Sequence, residues 1–214
     1  EPTDEWVLEP GDMLYIPPGL AHNGIAIGDD CMTYSIGFRA PSRRELITGF
    51  ADHIAARCGD AERYADPDLI AQDNPGEIAP SALDRLHAMV LDAVLDRDAF
   101  VRWFGEHATT PRYPDMDWSP EEPVDEFEVR ALLQAGTLLY RNPASRFSFV
   151  ERGNAVLLFV DGECRECSGE AATFARRMCA GEWVEYEPGE AQTDATTRLI
   201  AELVNSGSIA FVAE

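Results

Sequence analysis

The chain has 214 residues, 45% of them hydrophobic and 26% charged, which is typical of a globular protein with one large domain or two small ones and excludes wholesale disorder or a fibrous repeat. Acidic residues outnumber basic ones by 39 to 17, which gives a formal net charge of -22. A surface of this sign repels phosphate backbones and anionic lipid, so it argues against direct nucleic-acid or membrane partners, and it either favours a basic protein partner or only keeps the protein soluble.

Two further properties of the composition restrict the protein class. All 17 basic residues are arginine, so a Schiff-base or P-loop lysine is excluded within this chain. No apolar run approaches the roughly 20 residues of a membrane span, and the first ten residues do not form a secretory signal, so we expect a cytoplasmic protein.

The first 40 residues have a β pattern interrupted by turns. The pattern predicts a strand from Trp6, a turn at Pro10-Gly11-Asp12, a strand over Met13–Ile16, a turn at Pro17-Pro18-Gly19, a turn at Gly28-Asp29-Asp30 and a strand over Cys31–Phe38. Short strands with frequent turns are typical of a barrel or sandwich, but three or four strands are too few to close one. We therefore expect the last strands of a β-domain whose earlier strands lie upstream of this sequence.

Helical periodicity replaces the β pattern after Pro41. Ser42 and Glu45 have the spacing of a capping box, and the apolar residues that follow predict a first helix over residues 43–58. An Asp-, Pro- and Gly-rich loop comes next, and we expect one helical turn in it near residues 67–72.

Two more amphipathic helices are predicted between the loop and residue 107. Ser81 is expected to cap the second helix, and Asp96 to cap the third. The second helix carries one apolar stripe, made of Leu83, Leu86, Val90 and Val94. Such helices cannot bury their apolar faces individually, so they must pack on each other, on the β-domain or on a second subunit.

The last third of the chain alternates helix and strand. Residues 111–125 contain four prolines and are interpreted as a linker. Helices are predicted over 126–134, 168–180 and 193–205, strands over 137–140 and 208–212, and a β-hairpin that turns at Arg152-Gly153-Asn154. This mixture is typical of a winged-helix-like module, although its acidity argues against DNA binding.

The five cysteines are odd in number and unevenly spaced, so we expect reduced thiols rather than a disulfide framework. Cys164 and Cys167 form a C-x-x-C pair with no second pair at zinc-finger spacing. We interpret them as two ordinary thiols on a turn rather than as a structural zinc site or a redox pair.

The most specific motif is PGDMLYIPPGLAHNG, residues 10–24, followed by MTYSIGFRAPS, residues 32–42. Together they resemble the bacterial branch of the JmjC-type ribosomal oxygenases, cupin-fold protein hydroxylases that use Fe(II) and 2-oxoglutarate. The family pattern P-G-D-x-L-Y-I-P-P-G-x-x-H-x-G is matched at Pro10, Gly11, Asp12, Leu14, Tyr15, Ile16, Pro17, Pro18, Gly19, His22 and Gly24.

The resemblance implies an α+β fold and an organisation for the whole chain. Residues 1–40 would be the C-terminal strands of a partial double-stranded β-helix of the cupin or JmjC type. A helical dimerisation region over 41–110, the linker over 111–125 and a winged-helix-like domain over 126–214 would follow. A homodimer is therefore expected.

The candidate site residues are His22 and Ser35. A histidine after a Pro-Pro-Gly turn either projects into a barrel mouth as a metal ligand or is satisfied by hydrogen bonds at a strand start. The resemblance implies that His22 is the distal histidine of an iron-holding set of two histidines and one carboxylate, and that Ser35 helps to bind the far carboxylate of 2-oxoglutarate.

The family's His-x-Asp pair is absent from these 214 residues. We expect the proximal histidine and aspartate to lie upstream, so that this chain alone is inactive and the complete polypeptide is a hydroxylase. The remaining histidines do not replace them, because His53 and His87 fall on predicted helices and His107 falls at a helix end, where a contact with the helix dipole is the ordinary explanation.

The resemblance also implies the substrate, an arginine of a large-subunit ribosomal protein. A basic substrate agrees with the net charge of -22, which would steer its association. Two alternatives stay open from the residues alone: a non-catalytic dimerisation or protein-binding module, and another metal-dependent cupin enzyme such as a sugar-phosphate isomerase.

Overall fold

A computed structural model of the chain describes residues 4–37, 40–59, 61–68, 70–112, 115–186 and 193–212. The chain divides into two compact units, Glu1–Pro41 and Ser42–Glu214. Within the described ranges, six helices and two antiparallel sheets confirm the α+β class. In the part of the chain described here, no helix combines the length and apolar character that crossing a membrane requires.

The N-terminal unit contains the predicted turns but not the predicted strands. Turns lie at Pro10-Gly11, Pro18-Gly19 and Asp29-Asp30, whereas residues 4–37 contain neither helix nor strand. Among these residues only Ile16 is as much as half-buried. The strand predictions over Met13–Ile16 and Cys31–Phe38 are therefore wrong for the described residues, which stop at residue 37. A strand needs a partner for its backbone N–H and C=O groups, and apolar alternation alone supplies none.

Three helices open the C-terminal unit: α1 (Arg43–Ala55), α2 (Pro80–Val94) and α3 (Arg97–Thr109). The predicted capping box of α1 is present, with the Ser42 hydroxyl accepting from the Glu45 N–H and the Glu45 carboxylate accepting from the Ser42 N–H. The Asp96 carboxylate caps α3 by accepting from the Ala99 N–H at 2.9 Å. Both confirmed caps depend on side chains only three residues apart, which is why the sequence alone reveals them.

Three details of this region differ from the prediction. The helix α1 ends at Ala55, short of its predicted end at Cys58, and Pro67–Asp68 form a turn without helix in the described part of the loop. The helix α2 begins at Pro80 and has no side-chain cap, so the prediction of Ser81 as its cap is wrong. Proline suits the first helical position because its φ is already helical and it has no N–H to satisfy there.

The helices α1 and α3 pack through aromatic rings. Phe50 is buried and lies 5.4 Å from Trp103 and 5.1 Å from Phe100, measured between ring centroids. Gly49 permits this approach, because a Cβ there would stand 2.8 Å from the Trp103 ring. The α2 stripe behaves differently: Leu83, Leu86, Val90 and Val94 remain 41% to 60% exposed.

The remaining elements form the winged-helix-like part of the unit. They are α4 (Glu126–Gln134), β1 (Leu138–Arg141), β2 (Phe147–Arg152), β3 (Ala155–Val160), β4 (Glu163–Ser168), α5 (Gly169–Ala180), β5 (Trp183–Val184), α6 (Asp194–Asn205) and β6 (Ile209–Val212). One sheet has the order β5-β1-β6 and the other β2-β3-β4, with neighbours antiparallel. The predicted helices, the hairpin turn and the last strand are confirmed, whereas β4 and β5 were not predicted.

The core of this unit is organised around β3, whose side chains are covered on both faces. Val156, Leu158 and Val160 belong to the main core cluster with residues of α4, α5 and α6. Phe159 points the other way and meets Gly105 of α3, where a Cβ would collide with the ring. A strand buried on both faces has a continuous apolar sequence, and AVLLFV of β3 has one.

Candidate functional site

The segment that carries His22 is shaped by two glycine turns. Gly11 and Gly19 have φ values of 98° and 86°, which favour glycine, and each follows a proline. The Asp12 N–H donates to the Glu9 carbonyl at 3.0 Å, and the Leu20 N–H donates to the Pro17 carbonyl at 3.4 Å. These contacts span three residues, so the local sequence is sufficient to form them.

His22 follows the second turn, and its ring is exposed. Nδ1 lies 3.1 Å from the Leu20 carbonyl oxygen. A carbonyl only accepts, so a neutral ring in this bond carries its proton on Nδ1 and keeps the Nε2 lone pair free. Metal-bound histidines are commonly oriented by a hydrogen bond of this kind. Ser35 is exposed as well.

The described residues do not by themselves form an iron site. A facial set for Fe(II) needs two histidines and a carboxylate. No group of three or more His, Cys, Asp or Glu residues that would hold a metal occurs in the described ranges. His22 therefore supplies one donor, and these residues do not fit Fe(II) without additional ligands.

The other histidines have structural contacts on helices. His53 of α1 stacks on Phe50, and its Nε2 lies 3.4 Å from Nη1 of Arg57. His107 of α3 stacks on Trp103 with 5.3 Å between ring centroids. His87 is an exposed residue of α2. The expectation that His53 and His87 lie on helices is confirmed, and the contact of His107 is aromatic.

The C-x-x-C pair lies on β4, so its placement on a turn is wrong. Residues three apart on a strand point to opposite faces. Cys164 accordingly accepts from Nη1 of Arg102 in α3 at 3.5 Å, whereas Cys167 belongs to the main core. Burial raises the pKa of the Cys167 thiol to about 11, and it does the same for Cys179. All five cysteines fall within the described ranges and are free.

A groove outside the predicted site lies beside β6, next to Trp118. The sequence offered only a weak signal for it, a tryptophan within an acidic, proline-rich segment that was interpreted as a linker. The groove forms because this segment returns to the end of α6, where the Val124 N–H donates to Oδ1 of Asn205 at 2.8 Å. A contact across about 80 residues is not readable from local patterns.

The chain is similar to known proteins at both ends. Residues 1–46 match the family model of the JmjC domain, and residues 87–210 match that of the ROXA-like winged helix. The order of a JmjC segment and a winged helix defines the class, a JmjC-type oxygenase. The chain belongs to the bacterial JmjC-type ribosomal oxygenases.

Two relatives and the solved structures agree with this family. The ribosomal protein uL16 3-hydroxylase of Escherichia coli is 41% identical over 134 residues, 63% of this chain and 36% of that protein. A probable ribosomal oxygenase of Haemophilus influenzae is 28% identical over 173 residues, 73% of this chain and 40% of that protein. The chain therefore spans well under half of the length of either relative.

The structural similarity is to YcfD, a ribosomal oxygenase from Escherichia coli. Its complex with cobalt and 2-oxoglutarate has a TM-score of 0.66 and 29% identity, and the match covers 83% of this chain and 48% of that one. A complex with cobalt and succinic acid matches with the same values.

Proposed function

We propose that the polypeptide carrying this sequence is a ribosomal protein hydroxylase that depends on Fe(II) and 2-oxoglutarate and modifies an arginine of a large-subunit ribosomal protein. The observation that carries the proposal is the presence of a JmjC match over residues 1–46 and a ROXA-like winged helix over 87–210 in one chain. The relatives named above are hydroxylases or oxygenases, which does not favour the sugar-phosphate isomerase or the non-catalytic module.

His22 is the proposed metal ligand, and Ser35 the proposed contact to 2-oxoglutarate. The bond from Nδ1 of His22 to the Leu20 carbonyl supports the first assignment, because it leaves Nε2 as the donor atom. Iron bound in this way would supply the oxidising chemistry. The proposal requires a second histidine and a carboxylate beyond the described residues, so we assign no reaction step to this chain's side chains.

The proposed substrate partner is basic, and the proposed assembly is a homodimer. The formal charge of -22 supports the first, since opposite charge accelerates association. The exposed stripe of α2 supports the second, because an apolar helix face of this kind is stabilised by burial against another surface. Direct nucleic-acid or membrane binding is not part of the proposal, and a cytoplasmic location follows from the ribosomal substrate.

The proposed domain division keeps the predicted boundaries of 1–40, 41–110, 111–125 and 126–214. The helix α3 joins the helical region to the winged-helix-like domain, because Gly105 of α3 packs on Phe159 of β3. The Thr109 hydroxyl at the end of α3 also accepts from the Gly162 N–H at 3.1 Å.

The decisive experiment incubates the natural polypeptide that contains this sequence with Fe(II), labelled 2-oxoglutarate and purified uL16. We expect labelled succinate and a mass gain of one oxygen atom on an arginine of uL16. His22→Ala should abolish both, whereas Ser35→Ala should mainly raise KM for 2-oxoglutarate.

His53→Ala, a histidine on α1 with structural contacts only, is the matched control and should retain activity. Full turnover by the His22→Ala variant would overturn the ligand assignment. An intact wild-type protein that releases no succinate with uL16 present would overturn the proposed function itself.

A further inference from the structure

The groove beside β6 has a volume of about 490 Å³. Trp118 and Pro120 line it from the segment before α4, Tyr140 and Pro143 from the end of β1, and Phe211 from β6. The Trp118 side chain is 49% exposed although it lines the groove. One wall is therefore an indole surface that is accessible to a ligand.

The strand β6 forms the floor of the groove and has a free edge. It is the terminal strand of the order β5-β1-β6. The Asn142 N–H donates to the Ser208 carbonyl at 2.9 Å, and hydrogen-bonded pairs alternate along an antiparallel ladder. The N–H and C=O groups of Ile209 and Phe211 therefore face away from β1. Within the described ranges, neither residue's backbone has a hydrogen-bond partner on that outer side.

This edge lacks the usual protection against pairing. Edge strands are normally blunted by charged residues, by proline or by a bulge. Strand Ile209–Val212 reads IAFV, with none of these residue types, and it pairs with β1 in an uninterrupted register. An unprotected edge beside an aromatic groove is the arrangement that accepts an extended peptide as an added strand.

The rim of the groove is acidic. Asp117, Glu121 and Glu122 flank the two residues that form its Trp118 wall, and all three are exposed. None of the three has an ion pair with another described residue. The Ser119 N–H donates to Asp117 and lowers the pKa of that carboxyl, which keeps it ionised.

These features together select a cationic ligand with a planar head group. A guanidinium stacks on an indole or phenol ring and at the same time pairs with carboxylates. Free backbone groups at a spacing of two residues fit an extended chain, whose alternate side chains would face the groove.

We propose that the free edge of β6 and the Trp118 groove bind an extended, arginine-containing segment of a basic protein as an additional strand. The identity of that protein rests on the proposed function, in which it is the ribosomal substrate, and the groove then holds a segment of the substrate outside the JmjC part of the chain.

The test uses the isotope-labelled chain and an acetylated, amidated peptide of five Arg-Val repeats at low ionic strength. We expect binding by calorimetry, with slower hydrogen exchange of the Ile209 and Phe211 amides in the complex. A peptide of equal charge but with alternate backbone nitrogens methylated should bind at least about tenfold more weakly, because it cannot pair with β6. A Glu-Val peptide should not bind.

Matched variants test the wall and the rim. Trp118→Ala should weaken binding about tenfold, whereas Trp183→Ala, which removes another exposed indole on β5, should leave it unchanged. Glu121→Gln with Glu122→Gln should weaken binding more at low than at high salt.

The control for the rim is Glu62→Gln with Glu77→Gln, which removes the same charge from the exposed loop between α1 and α2. Equal losses in the two double variants would overturn a local role of the rim, since both lower the net charge equally.

The proposal fails if the N-methylated peptide binds as well as its parent, or if Trp118→Ala has no effect. It also fails if the Ile209 and Phe211 amides are already protected in the free chain and sedimentation shows self-association, since a second copy would then occupy the edge. Purified uL16 should displace the peptide. If the peptide binds but uL16 does not displace it, the identity of the partner is overturned, and the hydroxylation assay tests the enzymatic proposal separately.

Discussion

The two units of the chain contrast in how their sequence relates to their structure. The N-terminal unit contains the most specific motif of the chain, yet residues 4–37 form no helix or strand and expose nearly all their side chains. The C-terminal unit has no motif of that specificity, yet it buries a core of 20 residues. A specific motif records the chemistry of a family, whereas a core requires partners on several elements.

The contrast predicts that stability resides in the C-terminal unit. Phe174→Ala should lower the free energy of unfolding by about 3–5 kcal/mol, because this 1% exposed ring would leave a cavity in the core. Tyr15→Ala, at 77% exposure in the N-terminal unit, should change it by less than about 0.5 kcal/mol. Urea unfolding followed by helical circular dichroism measures both.

Phe127→Ala on α4 is the matched control in the same unit, since that ring is 78% exposed. A loss for Tyr15→Ala as large as that for Phe174→Ala would remove the distinction between the units.

Thiol reactivity should show the same contrast. Cys31 is exposed in the N-terminal unit, and Cys167 is buried in the core. Burial raises the pKa of Cys167 from 9.0 to about 11, which lowers its thiolate fraction near neutral pH about a hundredfold. Labelling with a disulfide reagent, followed by peptide mapping, should modify Cys31 at least about a hundredfold faster. Equal rates would show that the core is open on the labelling timescale.

Glycine substitutions should sharpen the contrast at a smaller magnitude. Gly105→Ala should destabilise the chain by about 1–2 kcal/mol, because the new Cβ would collide with the Phe159 ring and the gain in helix propensity offsets only part of that. Gly24→Ala should have no effect, since no atom lies within 4 Å of its ideal Cβ. Urea midpoints measure both, and Phe159→Leu should partly rescue Gly105→Ala.

The smallest effect concerns a surface ion pair of the C-terminal unit. Arg176 donates to both carboxylate oxygens of Glu151 at 2.7 and 2.8 Å, and these bonds lower the pKa of Glu151 below its ordinary 4.5. A lowered pKa contributes stability above the unfolded value, and this contribution is lost as the pH falls through the native value.

The Glu151→Gln variant should therefore be slightly less stable than the parent at pH 7 and equal to it in acid. Urea midpoints across this range measure the difference, with Glu62→Gln in the exposed loop as the control. A difference that persists in acid would assign the effect to packing rather than to charge.

Much of the C-terminal unit was predictable because its signals are local. The Ser42–Glu45 capping box, the Asp96 cap and the turn at Gly153-Asn154 each depend on contacts within a few residues. The strands of the N-terminal unit were not, because alternation predicts which residues could line a sheet but not whether a partner strand is present. The sequence of β4, ECRECS, has too little apolar character to indicate a strand, and it pairs because β3 lies beside it.

By itself, the sequence determined the turns that precede His22, the helix caps, the family and the acidic surface, because each depends on neighbouring residues or on composition. Only the tertiary structure decided that Cys164 and Cys167 face opposite sides of a strand, that the α2 stripe stays exposed, and that Trp118 reaches the free edge of β6. Those outcomes depend on which distant segments pack together, and that is set by the competition among all buried surfaces of the fold.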